Sequence, residues 1–195
     1  MGSVLSHMTM SLDGFIADPH DGIDELFGWY GAGTVTVATA DENMSFRVSE
    51  AEAELLRTLV SSSGALVCGR RLFDITKGWG DCHPMGVPVV VVTHRPPDDA
   101  GKWATMSFAP TVEDALERAR GIAGEKDVCI SSADIAGQAL ELGLLDEIAV
   151  SLVPVVLGRG IRYFDRLAQG PYRLGEPTVI PGPRATHLRY PVERP

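Results

Sequence analysis

The sequence predicts an α/β fold of three layers: a mostly parallel mixed sheet, helices on both faces, and antiparallel strands at the C-terminal end. Three observations carry this. Short β-branched runs alternate with stretches of helical periodicity, the pattern of strand–helix–strand units. The run VPVVVVTH, which starts at Val87, lacks polar alternation, as a central strand covered on both faces requires. The segments YRLGEPTVI and ATHLRYPV, joined by the PGP turn at 181–183, read as a closing antiparallel pair.

Taken in order, Val4 to Met10 is the first strand and ends in SLDG. Ala17 to Asn43 carries DPHDG and GWYGAG with few periodic apolar positions, and reads as a long loop, lid or surface excursion. Ser49-x-x-Glu52 is a capping box, and Leu55, Leu56, Leu59 and Val60 form the apolar face of the helix it opens. GALVCG is a short buried strand, and RRLFDITKG a short helix stopped by Gly78. Thr111-x-x-Asp114 opens another helix, with Ala115, Leu116, Ala119 and Ile122 on its apolar side. KDVCISSADIAGQALELG is strand, turn and helix, with Gly143 as the stop. DEIAVSLVPVVLG is the last long strand before the closing pair.

At 195 residues the chain is expected to form one domain, 1–195, with a sizeable core. Its net charge of −9 argues against nucleic acid and anionic membrane as partners, though not against a local basic pocket for a small anion. No apolar run is long enough to span a bilayer, no basic-flanked leader opens the chain, and a cytoplasmic location is expected. The three cysteines, Cys68, Cys82 and Cys129, have neither disulfide-framework nor zinc spacing, and no metal is expected. Cys68 and Cys129 read as buried small hydrophobes; Cys82 and His83 are adjacent, a poor geometry for a thiolate pair. No phosphate-binding P-loop, nucleophile elbow or zinc-deaminase motif is present.

In a parallel sheet ligands bind beyond the carboxyl ends of the strands, so four strand ends matter most. Gly69, Arg70 and Arg71 begin a helix directly after a strand, which suits an anion held by free N–H groups and a guanidinium, or a tight turn with solvated arginines. Thr93, His94 and Arg95 offer a hydroxyl, an imidazole and a guanidinium suited to a phosphate monoester. Ser131, Ser132 and Ala133 stand where a glycine-rich phosphate turn often stands; the serines can cap the helix or bond a phosphate, and Asp134 repels an anion only if it turns inward. Ser11, Leu12 and Asp13 close the first strand, where a carboxylate can hold the polar edge of a heterocycle, help move a proton through water as a catalytic group, or simply start an Asp-Gly turn. Gly158 and Gly160 flank Arg159 where the backbone passes close to a ligand or to another strand, and Trp79 covers a flat ligand or caps the core.

The ordered set SLDGFIA, GRRLFD…GW, PVVVVTHR, GLLDEI and PVVLGRGIRYFD resembles the dihydrofolate-reductase-like family that includes the reductase domain of the bifunctional riboflavin-biosynthesis deaminase/reductase. The resemblance spans nearly the whole chain. It implies an NADPH-dependent reductase of a small heterocyclic or carbonyl/imine substrate, a homodimer joined near the C-terminal edge strands, and a place for each strand end. Gly69 and Arg70 would face the cofactor phosphates, with Arg71 beside them. Thr93, His94 and Arg95 would hold the adenosine 2′-phosphate, and Ser131, Ser132 and Ala133 the pyrophosphate. Ser11, Leu12 and Asp13 would border nicotinamide and substrate, with Gly158 and Gly160 near the cleft; Trp79, where it covers a flat ligand, would lie over the substrate. The family turn is normally Gly-Gly where this chain has Ser131-Ser132, and no deaminase half precedes the domain. Those departures leave a second expectation, a non-catalytic binder of a nucleotide or pterin-like ligand. A flavin reductase using the same cleft is a third.

Overall fold

The computed structural model describes residues 2–165 and 167–194. Its strands are β1 (Val4–Ser11), β2 (Phe15–Ala17), β3 (Val35–Ala38), β4 (Ser45–Val48), β5 (Ser63–Gly69), β6 (Val89–Val92), β7 (Met106–Ala109), β8 (Asp127–Ile130), β9 (Glu147–Val153), β10 (Ile161–Arg162), β11 (Thr178–Pro181) and β12 (Thr186–Pro191). The α-helices are α1 (Asp24–Phe27), α2 (Glu50–Ser62), α3 (Arg70–Ile75), α4 (Val112–Ala123) and α5 (Ala133–Glu141). Eight strands form the main sheet in the order β11-β12-β9-β1-β8-β5-β6-β7. The six from β9 to β7 are parallel; β12 runs antiparallel to β9 and β11 antiparallel to β12. All six parallel strands therefore end at one edge.

Side-chain alternation sends each strand's apolar residues to two layers. On one face Val4, Val67, Val90, Val128, Ile130 and Val150 meet the apolar stripes of α4 and α5. On the other face there are two clusters. One gathers Leu5, Leu66, Cys68 and Val91 under Phe73 of α3; the other gathers Leu26, Trp29, Val37, Val48, Val153 and Ala185 with Ala53 and Leu56 of α2. The three layers, the parallel block and the C-terminal antiparallel pair are as the sequence predicts.

Both capping patterns form. Ser49 Oγ accepts from Glu52 N while Glu52 Oε2 accepts from Ser49 N, and Thr111 Oγ1 accepts from Asp114 N. Val60 and Ile122, expected on apolar faces, are instead 41% and 42% exposed, because each helix buries only its central stripe. The expected long loop at 17–43 is also corrected. It holds α1, a 3-10 turn at Gly28–Gly31 and β3, which pairs with β4. Its order comes from aromatic packing rather than periodicity: Trp29 is buried, stacks on Tyr30, and Tyr30 stacks on Phe46. The helix expected to stop at Gly78 ends at Ile75, and Lys77 to Asp81 then adopt left-handed backbone angles. Asp81 holds that turn by accepting from the amides of Ala104 and Thr105. The edge strand β7 had no strong sequence signal.

Candidate active site

The parallel edge presents five neighbouring strand ends in the order β9, β1, β8, β5, β6, and polar contacts join β9 to β1, β8 to β5 and β5 to β6. Between β9 and β1 the link is Asp13. Its Oδ1 accepts from Ser11 Oγ at 2.7 Å and Leu157 N at 3.1 Å, and its Oδ2 from Gly158 N at 2.7 Å. Those donors, the Ser11 hydroxyl first, hold the carboxyl below the usual aspartate range. Ser11 is fully buried and also accepts from Phe15 N, so the turn after β1 is braced from both sides. Leu12, by contrast, is 65% exposed at the edge. Beside Asp13 the Arg162 guanidinium lies over the Phe15 ring and donates to the Asp13 carbonyl.

Between β8 and β5, Ser131 N donates to the Val67 carbonyl at 3.0 Å. A Cβ on Gly69 would stand 3.3 Å from Ser132 Oγ, so glycine leaves the serine hydroxyl its room. Ser132 is the N-cap of α5 by backbone geometry, yet its side chain makes no cap hydrogen bond. Neither serine hydroxyl has a partner among the described residues. Asp134 does not turn inward; its Oδ2 accepts from Gln138 Nε2 at 2.7 Å along the helix. The turn is thus a helix start with open amides, two unengaged hydroxyls and no inward carboxylate, which fits an anion. A merely capped helix start would have its serine side chain bonded to the helix amides.

Between β5 and β6, Arg70 Nη1 donates to the Arg95 carbonyl at 2.6 Å, while its Nε pairs with Asp74. Thr93 Oγ1 and the Arg95 backbone exchange two hydrogen bonds, which set the turn and leave His94 and the Arg95 guanidinium exposed.

Arg71, Gly160 and Trp79 have structural partners. Arg71 is engaged by both oxygens of Asp21, at 2.8 and 2.7 Å, and that carboxylate raises its pKa; it pins the 18–22 turn onto α3. Gly160 serves strand approach, since a Cβ there would lie 2.1 Å from the Ala17 carbonyl oxygen. Gly158, with φ +74 and open space around it, donates its N–H to Asp13. Trp79 is half-buried against the α3-side cluster, its ring edge-on to His83 at 4.6 Å. Cys82 Sγ points to the Ala40 carbonyl at 3.7 Å, not to His83.

Sequence reasoning passed over a second group, a buried polar chain behind the edge. His7, Ser151 and His187 occupy inward positions of otherwise apolar strands, and Glu52 was read only as a cap. Polar residues at period-two inward positions were the available signal.

The RibD C-terminal domain family matches residues 3–174. The chain belongs to that family. Among solved structures, a protein assigned to riboflavin biosynthesis from Shewanella sp. PV-4 superposes with a TM-score of 0.69 at 20% identity, covering 98% of this chain and 99% of that one. Acinetobacter baumannii RibD gives 0.59 at 17%, covering 99% of this chain but 58% of its own. Dihydrofolate reductase from Enterococcus faecalis, complexed with NADP(H) and RAB-propyl, gives 0.58 at 13%, with 99% and 98% covered. Comparison with curated proteins gives no match. These likenesses establish the dihydrofolate-reductase-like fold, and the RibD C-terminal match places the chain in a family of reductase type. Among the described residues no helix is long and apolar enough to cross a membrane, and no cluster of three or more His, Cys, Asp or Glu is placed to hold a metal ion.

Proposed function

We propose that this protein is an NADPH-dependent reductase of a small heterocyclic or carbonyl/imine substrate. The observation that carries the reading is the group of five neighbouring strand ends on one edge of the sheet, with the uncapped α5 start at its centre. At about 4.8 Å per strand the five ends span roughly 19 Å across the sheet, and β1 continues from Ser6 to Ser11 past its last pairing with β8, which leaves room for an extended dinucleotide. In this reading Ser131, Ser132 and Ala133 receive the pyrophosphate on open amides and hydroxyls. Gly69 and Arg70 flank it, and Thr93, His94 and Arg95 hold the adenosine phosphate at the far end. Ser11, Leu12, Asp13 and Gly158 border nicotinamide and substrate at the near end. When bound, NADPH supplies the hydride. Asp13, ionised and occupied by the Leu157 and Gly158 amides, acts by fixing the turn that orients the substrate rather than as the acid.

NADPH titration followed by fluorescence tests the reading. Saturable binding, with consumption of NADPH by a pteridine or ribosylamino-pyrimidine acceptor, is expected. No saturation at millimolar cofactor sinks it, and binding with no turnover of any such acceptor moves the protein to the non-catalytic reading. Self-association is proposed through the free edge of β11, where Val179 is 52% exposed; light scattering at a monomer mass removes that part alone.

A further inference from the structure

Between the two apolar clusters on the α2 face runs a chain of four side chains from three strands and a helix. Glu52 Oε1 lies 3.5 Å from His187 Nε2, His187 Nδ1 lies 2.9 Å from Ser151 Oγ, and Ser151 Oγ lies 2.9 Å from His7 Nε2. Glu52, Ser151 and His187 are at most 4% exposed, while solvent reaches His7. Strand register puts Thr9, Ser151 and His187 in one row, with His7 one step below on the same face.

Donors and acceptors fix the direction of the chain. Ser49 N and Ser49 Oγ both donate to Glu52 Oε2, so that oxygen carries no proton, and with Glu52 ionised Oε1 is an acceptor too. Its other oxygen then accepts from His187 Nε2–H. His187 Nδ1 must accept from the Ser151 hydroxyl, and Ser151 Oγ must accept from His7 Nε2–H. The open end is the lone pair on His7 Nδ1. We propose that these four residues form a one-proton relay in which Glu52 sets the tautomer of His7 through His187 and Ser151. A proton arriving at His7 Nδ1 sends the Nε2 proton to Ser151 Oγ, the Ser151 proton to His187 Nδ1, and the His187 Nε2 proton to Glu52 Oε1. Both imidazoles end neutral with reversed tautomers, Glu52 ends protonated, and the reverse passage returns the proton at His7. Burial favours neutral rings in both states, lowering His187 and bringing His7 to about 4. On the reductase reading, a chain first loaded from solvent at His7 Nδ1 can return that one proton there as the hydride is delivered.

Histidine tautomers are read from two-bond proton–nitrogen NMR correlations, without cofactor or substrate, on a chain with five histidines. At neutral pH both His7 and His187 should be Nε2–H. In Glu52→Gln, the Ser49 amide and hydroxyl hold the glutamine oxygen, so its NH2 must face His187. Both rings should then switch to Nδ1–H. In Ser151→Ala, His187 should stay Nε2–H while His7 becomes a tautomer mixture; this variant also serves if Glu52→Gln fails to fold. A His7 tautomer unchanged in Glu52→Gln, or unchanged in Ser151→Ala, overturns the relay whatever the outcome with NADPH.

Discussion

Asp13 shows how little a residue's type says about its task. A carboxylate ending a strand beside a glycine is a plausible acid, yet here its oxygens serve a hydroxyl and two amides that prefer the charged form. Loss of a general acid costs about 10² to 10⁴ in rate. Asp13→Asn should therefore keep more than about a hundredth of kcat, and steady-state kinetics of the variant should show no lost acid limb in the pH profile. Gly160 teaches the same lesson for glycine. Local pattern left ligand and strand open as the reason for it. The Ala17 carbonyl oxygen, 2.1 Å from where a Cβ would stand, decides for the strand. Gly160→Ala should cost about 1–3 kcal/mol by overpacking. In a chain of this size that lowers Tm by about 2–4 °C per kcal/mol, measurable by thermal unfolding.

Among elements, α2 and α5 both begin at serines and are held differently. Ser49 completes a reciprocal capping box, whereas Ser132 caps with its backbone alone. Ser49→Ala should cost about 1 kcal/mol or more, and Ser132→Ala well under that, by urea unfolding. With both Ser131 and Ser132 changed to glycine, helix stability should hold and the NADPH Kd should move, upward where the hydroxyls bond the pyrophosphate and downward where the serine Cβ atoms crowd it; an unchanged Kd removes the cradle. Periodicity made α2, α4, α5 and the long strands legible, because one-sided burial imposes it. The 17–43 segment escaped for the opposite reason. Its short elements are ordered by Trp29, Tyr30 and Phe46 stacking across sequence-distant positions, which leaves no repeat to read. Arg71 escaped likewise, since its partner Asp21 is fifty positions away.

For the whole molecule, acid should act through histidines before carboxylates. His7 and His83 sit at about 4 and His187 below 6.5, each chiefly through burial; His187 and Arg189 add to the shift at His7, while Glu52 opposes it at His187. Each group's folded pKa is depressed, so its stabilising contribution is present above the unfolded value near 6.5 and is lost as pH falls toward the folded value. Unfolding between those limits takes up as many as three protons, one per histidine. The urea midpoint should fall steadily from pH 6.5 to 4, before Asp13, Asp18, Asp81 and Asp99, all held below 3.8, begin to contribute. His7→Gln should reduce the uptake by about one proton; an unaltered slope would show that the folded protein does not hold His7 neutral.

The amino-acid order by itself determined the layers, the parallel block, the caps and the residues at the strand ends, because those follow from local periodicity and from where apolar runs stop. Tertiary structure alone decided the rest. Pairing of distant strands placed Gly158, Asp13, Ser131, Gly69, Arg70 and Arg95 along one edge, assigned Arg71 to Asp21, and threaded His7, Ser151, His187 and Glu52 together. Such contacts join positions far apart in the chain, and their energies depend on distance and orientation, which no local pattern encodes.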